Sequence, residues 1–205
     1  MKTDPRQTLI AAARHFYQQG WMLGTAGNLS AKINDGSFWI TASGRNKGQL
    51  NSGDFIRIAA NGKVVEKPNC EVHPSAETSI HQVIYSLFPQ AQACYHVHAI
   101  EANLVSRFTD EDTLTLPPLE MLKGLGVREE NPKVAISLFA NHLDVLRIAG
   151  DIRKRFQTVT PSVNVLLIRD HGLTAWASST EEAFNYVEIA DYIFRYMVAA
   201  WKISI

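Results

Sequence analysis

Residues 94–98 read Cys94-Tyr95-His96-Val97-His98, two histidines one residue apart inside an apolar run. Successive side chains of an extended strand point to opposite faces. His96 and His98 therefore share a face, with Val97 turned to the other. Two neutral imidazoles so placed can chelate one divalent ion, or each can be a hydrogen-bonded histidine on a half-buried strand. A third histidine shifts the balance. His171 lies in Arg169-Asp170-His171-Gly172-Leu173, directly after the apolar run Val163 to Ile168. Three histidines with open positions is the ligand count of a catalytic metal site and not of a closed structural one.

The rest of the chain narrows the setting. At 205 residues it is long enough for one domain with a sizeable core and short for two, so residues 1–205 are expected to form a single domain. Twenty basic and twenty acidic residues cancel to a formal charge of zero, with no basic run, which argues against nucleic acid as a partner. No apolar stretch approaches a membrane span, and the first residues lead into an amphipathic helix instead of a signal peptide. Two cysteines, Cys70 and Cys94, make no disulfide framework, which places the chain by default in the cytoplasm with both thiols as small buried residues.

Outward from the histidines, periodicity predicts alternating helices and strands. Asp4 caps a helix with Pro5 at its first position, and Gly20 ends it. Strands are expected over 29–33 and 38–41, and again over 55–59 and 63–66, each pair joined by a turn. Two small-residue loops, Gly24-Thr25-Ala26-Gly27-Asn28 and Thr41-Ala42-Ser43-Gly44-Arg45-Asn46-Lys47-Gly48, are either plain turns or backbone cradles for an anion. Ser75 is the expected cap of a helix bearing Ile80, Val83, Ile84 and Leu87, with Glu77 in its first turn. After His98 a helix should bury Ile100, Leu104, Val105 and Phe108. Residues 109–113 read as an exposed acidic turn. Glu120, between Leu119 and Met121, is either the polar face of a short helix or a half-buried proton donor, and the pattern favours the exposed face. A strand over 134–138 precedes a helix capped by Asn141, with Val145, Leu146, Ile148, Ala149 and Ile152 inward. Strands flank His171, and a last helix from Ser179 runs to about residue 200 with Ala183, Tyr186, Val187, Ala190, Ile193, Phe194 and Met197 as core or subunit interface.

Taken together, Gly24-Thr25-Ala26-Gly27-Asn28, Thr41-Ala42-Ser43-Gly44, Pro74-Ser75-Ala76-Glu77, His96-Val97-His98 and Asp170-His171-Gly172-Leu173 resemble the class II (zinc) aldolase family in order and spacing along nearly the whole chain. The resemblance implies a three-layer α/β/α fold with a mostly antiparallel central sheet, assembled as a homotetramer. It implies one zinc ion per subunit on His96, His98 and His171, and a substrate phosphate held at the positions of Asn28, Ser43, Gly44 and Ser75. Leu119-Glu120-Met121-Leu122-Lys123-Gly124 and Trp176 are most similar to a dehydratase branch acting on a ketose phosphate, in which the residue matching Glu120 is the acid/base. In the sugar-phosphate aldolases and epimerases, the alternative reading, that role falls at Glu77. A scaffold relative without chemistry should lack histidines that this chain retains.

Overall fold

The computed structural model describes residues 4–203. Its elements follow the order α1 (Pro5–Gln18), β1 (Asn28–Lys32), β2 (Phe38–Thr41), β3 (Phe55–Ile58), β4 (Val64–Glu66), α2 (Thr78–Leu87), β5 (Ala93–Val97), α3 (Ile100–Val105), β6 (Thr113–Thr115), β7 (Ala135–Phe139), α4 (Val145–Phe156), β8 (Val165–Ile168), β9 (Gly172–Ala177) and α5 (Thr180–Ile203). The strands form one nine-stranded sheet in the order β4-β3-β2-β1-β5-β9-β8-β7-β6, antiparallel at every step except β7 with β8. The histidine strand β5 is thus central, between β1 and β9.

Helices cover both faces, giving the expected three layers. Alternation along β5 assigns its side chains: Tyr95 and Val97 enter the core on the α1, α3 and α5 side, and Cys94 enters the core on the α2 and α4 side. His96 has the parity of Cys94 and so points toward α2. That parity places the imidazoles beside the start of α2 and away from the larger aromatic core of Phe16, Trp21, Tyr95 and Phe194.

Several local expectations are corrected by tertiary contacts. Glu77, not Ser75, is the residue preceding α2, and Ser75 Oγ instead accepts the Glu77 backbone N–H at 3.3 Å. Asp144, not Asn141, caps α4, its carboxylate accepting the Leu146 N–H at 3.0 Å. Ile100 is 65% exposed and Leu104 and Leu146 are also exposed, whereas Val105, Ile148, Ala149 and Ile152 are buried as expected, joined on α3 by Ala102. Residues 113–115 are an edge strand, drawn in by antiparallel pairing with β7. Cys70 is exposed, whereas Cys94 is buried and its thiol is pushed up by burial, which makes it inert. Trp176 packs against Phe88 with ring centroids 5.0 Å apart and belongs to the core. Among the described residues no helix is long and apolar enough to cross a membrane.

A candidate metal centre beside an anion cradle

Two backbone features bring His171 to the β5 histidines, and a third lets the chain pass close to His96 from the other side. Asp170 adopts φ 52°, a left-handed turn costly for a non-glycine residue, and its N–H is held by Ser106 Oγ at 3.1 Å. At Gly172 any Cβ would lie 2.2 Å from the Val97 carbonyl oxygen. Only glycine lets β9 run that close to the end of β5. At the other side Gly27, at φ 72°, passes against the His96 carbonyl oxygen under the same restriction.

The result is a cluster of His96, His98, His171 and Glu77 whose ligand atoms all lie within 4.8 Å of one another. His96 Nε2 and His98 Nε2 are 3.0 Å apart. Glu77 Oε1 stands 2.8 Å from His171 Nε2, 3.6 Å from His96 Nε2 and 3.9 Å from His98 Nε2. A tetrahedral ion with bonds of about 2.0–2.1 Å spaces its donors roughly 3.3 Å apart, and the observed spacings straddle that value. His96 Nδ1 lies 2.9 Å from Thr174 Oγ1, an outer partner that orients the ring with Nε2 inward. Burial, chiefly, lowers the pKa of His96 and takes that of His98 to about 4, so both imidazoles are neutral and their lone pairs free. Burial also pushes the Glu77 carboxyl up, but the His96 and His171 rings outweigh it, and the group stays ionised well below the usual range. Three imidazole nitrogens form a donor set fit for a divalent metal ion, with the Glu77 carboxylate beside them.

Beside this cluster opens a cavity of about 260 Å³ lined by Ser43, Gly44, Lys47, Ser75, Glu77 and His98, among others. Ser43, Gly44 and Ser75, the residues the resemblance assigns to a substrate phosphate, line this one cavity together. Asn28 does not line it: the residue is buried, and its amide donates to Ser75 Oγ at 3.3 Å and to Glu77 Oε2. Its link to the cradle runs through Ser75. Lys47, which the sequence places in the second small-residue loop without a role of its own, enters the cavity wall. It is 1% exposed, and its ammonium donates to the carbonyls of Thr25 at 2.8 Å and Arg45 at 2.9 Å, which leaves one of three N–H groups. Burial brings its pKa down to about 8, against the attraction of Glu77. A lysine inside a glycine-serine loop was the available signal.

Glu120 lies elsewhere. It opens a short 3-10 turn, is 82% exposed, and pairs with Lys123 at 2.7 Å, next to a separate cavity around Pro118, Arg128 and Glu130. It is not part of the histidine cluster of its own chain.

The profile of the Class II Aldolase and Adducin N-terminal domain family matches residues 7–198. The chain belongs to that family. A methylthioribulose-1-phosphate dehydratase of Microcystis aeruginosa is 63% identical over 202 residues, 98% of each chain. A methylthioribulose-1-phosphate dehydratase of Leptospira biflexa is 38% identical, over 93% of this chain and 95% of that one. Among solved structures an L-fuculose 1-phosphate aldolase superposes with TM-score 0.80 at 22% identity, covering 99% of this chain and 89% of that chain. The L-fuculose-1-phosphate aldolase of Thermus thermophilus gives 0.74 at 20% identity, with 97% and 94% covered. These two likenesses carry the fold alone.

Two predictions arise from this geometry. Ser75→Ala removes a hydroxyl from the cradle, so KM should rise about tenfold, the worth of one hydrogen bond to a charged group. kcat should stay near wild type, and steady-state kinetics with an unchanged KM would remove Ser75 from the cradle. The second concerns acid stability. His81 is wholly buried and its pKa is lowered by burial to about 4. A neutral buried histidine costs nothing above its unfolded pKa of about 6.5, and stability is lost as pH falls from there toward 4. The share amounts to roughly 3 kcal/mol. Asp191, raised to about 6 by burial, works the opposite way over the same range. The prediction is therefore a difference: in urea unfolding of metal-free protein, His81→Gln should flatten the fall in stability between pH 7 and 4 by that amount. Parallel wild-type and variant profiles would refute it.

Proposed function

We propose that this chain is a metal-dependent lyase that dehydrates 5-methylthioribulose 1-phosphate to 2,3-diketo-5-methylthiopentyl 1-phosphate in methionine salvage. The observation that carries the reading is the 63% identity to a methylthioribulose-1-phosphate dehydratase along 98% of both chains. The complete histidine and glutamate cluster beside an anion cradle supports it. The whole chain, residues 1–205, is read as one class II aldolase-like domain, cytoplasmic, with a sugar phosphate and neither nucleic acid nor membrane as its partner.

One zinc ion per subunit would be held by His96, His98 and His171. When bound it supplies Lewis acidity to the ketone and neighbouring oxygen, acidifying the proton on carbon 3. The chain's own residues do the rest. Ser43, Gly44, Ser75 and the remaining N–H of Lys47 receive the phosphate, and Asn28 steadies Ser75. This remote anchoring fixes the reacting carbons relative to the cluster. Glu77, an ionised carboxylate at the cavity wall, takes the proton from carbon 3. Glu120 protonates the departing carbon 4 hydroxyl, so that water leaves, and the resulting enol tautomerises to the diketone.

Because Glu120 points to solvent in its own chain, this role assigns it to the site of a second copy. A homotetramer is the proposed assembly. Exposed apolar side chains on α3 (Ile100, Leu104) and α5 (Tyr192, Tyr196, Trp201) offer surface for such contacts. The test of the reaction is product analysis of metal-loaded protein with methylthioribulose 1-phosphate and a panel of sugar phosphates. Loss of water to a diketone is expected. A triose phosphate from fuculose- or rhamnulose-type substrates, or epimerisation of ribulose-type ones, would replace the reading with the aldolase or epimerase alternative.

A further inference from the structure

Behind Glu77 runs a line of buried polar side chains of which the reaction above uses only Asn28. On β1, Asn28 and Ser30 share the face of the sheet turned to α2, and Ser30 is wholly buried. Immediately before and along α2, Glu77, His81 and Tyr85 stand four residues apart. Two residues of strand advance about 6.7 Å and four of helix about 6 Å, so the two rows stay in step. They interlock: Glu77 Oε2 meets Asn28 Nδ2, Asn28 Oδ1 meets His81 Nε2, His81 Nδ1 lies 2.7 Å from Ser30 Oγ, and Ser30 Oγ lies 2.7 Å from the Tyr85 hydroxyl.

The proton directions follow from donor and acceptor capacity. A carboxylate only accepts, so the Asn28 amide must turn its NH2 to Glu77 and its oxygen to His81. His81 Nε2 must then carry the proton. A neutral ring with Nε2–H has a bare Nδ1, which at 2.7 Å takes the Ser30 hydroxyl proton in preference to the Cys94 carbonyl at 3.3 Å. Ser30 has no second proton and accepts from Tyr85. Every donor in the row thus points toward Glu77. Water cannot substitute in the middle of the row, where His81 and Ser30 are both fully buried.

We propose that His81 is a positioning residue for the reaction, holding Asn28 in the one amide orientation that occupies Glu77 Oε2 and leaves Oε1 facing the histidines. The proposal rests on the reading of Glu77 as the group that takes the carbon 3 proton. The imidazole does not touch the ligand cluster; it acts through Asn28. Loss of the ring's donor frees the amide to rotate and present its oxygen to Glu77, which repels the carboxylate from its place. Ser30 and Tyr85 extend the same control by fixing the tautomer of His81.

The experiment has two readouts. In protein labelled with 15N-histidine, free of metal, His81 should display a protonated Nε2 and a bare Nδ1; the opposite tautomer overturns the direction of the row. In metal-loaded enzyme, His81→Leu should lower kcat about 10- to 100-fold, as outer partners of active groups do, with KM and metal content near wild type. His81→Gln, which offers a donor and an acceptor at similar reach, should restore most of that loss. In a Glu77→Gln background the same His81→Leu change should cost no more than about twofold, because the residue it positions is gone. Wild-type kcat in His81→Leu, or an equal loss in His81→Gln, overturns the proposal. Should His81→Leu not fold, Ser30→Ala takes its place, with a fall in kcat expected and an unchanged kcat overturning. Glu77→Gln at wild-type turnover would defeat the role given to Glu77 and the positioning that serves it, a result told apart from a failed relay by the tautomer, which is read without turnover.

Discussion

His96→Asn should strip metal and turnover together. His96 is completely buried, its Nε2 faces His98 and Glu77, and its Nδ1 is engaged by Thr174. An asparagine at this site keeps a polar side chain for Thr174 but cannot extend a nitrogen lone pair to the centre of the cluster. Two imidazoles then remain of three, below the usual protein ligand count of a catalytic centre. Metal analysis should fall from about one ion per chain to below about a tenth, and turnover by more than about four orders of magnitude. Far-ultraviolet circular dichroism should be unchanged, since β5 is held by its ladders to β1 and β9. A folded His96→Asn protein retaining one tightly held ion would refute the ligand assignment.

The second large effect separates the two carboxylates. Glu120→Gln should leave metal content intact and slow turnover by about two to four orders of magnitude, the range of a lost general acid or base. Glu77→Gln should do the same, with the loss in kcat and not in KM. Their positions make different demands. Glu77 works in its own chain, beside its own histidines. Glu120, in the role proposed for it, would work only across two copies. Mixing denatured Glu120→Gln and His96→Asn chains and refolding them together should therefore restore about a quarter of the wild-type rate. One site in four then draws its metal from one parent and its acid from the other. Mixtures as inactive as either parent would place Glu120 outside the reaction, and a Glu120→Gln enzyme at wild-type speed would leave Glu77 as the sole acid and base.

The pattern of residues settled a good deal about this protein without coordinates. Period-2 alternation put His96 and His98 on one face, and the run before His171 marked a strand end, because both are properties of the local backbone. Asp4 and Pro5 opened α1 as expected, since a cap is a contact within one turn. The exposed face for Glu120 also followed from its immediate neighbours. What the tertiary structure alone decided lies between elements. It set Glu77 among three imidazoles, turned Asn28 away from the cradle, buried Lys47 within it, and aligned His81 with Ser30. It also made 113–115 a strand, through pairing with β7. Each of these depends on which residues of separate elements meet in space. That register is set by the packing of two whole faces and by the close approach that Gly172 permits, not by any stretch of sequence read by itself.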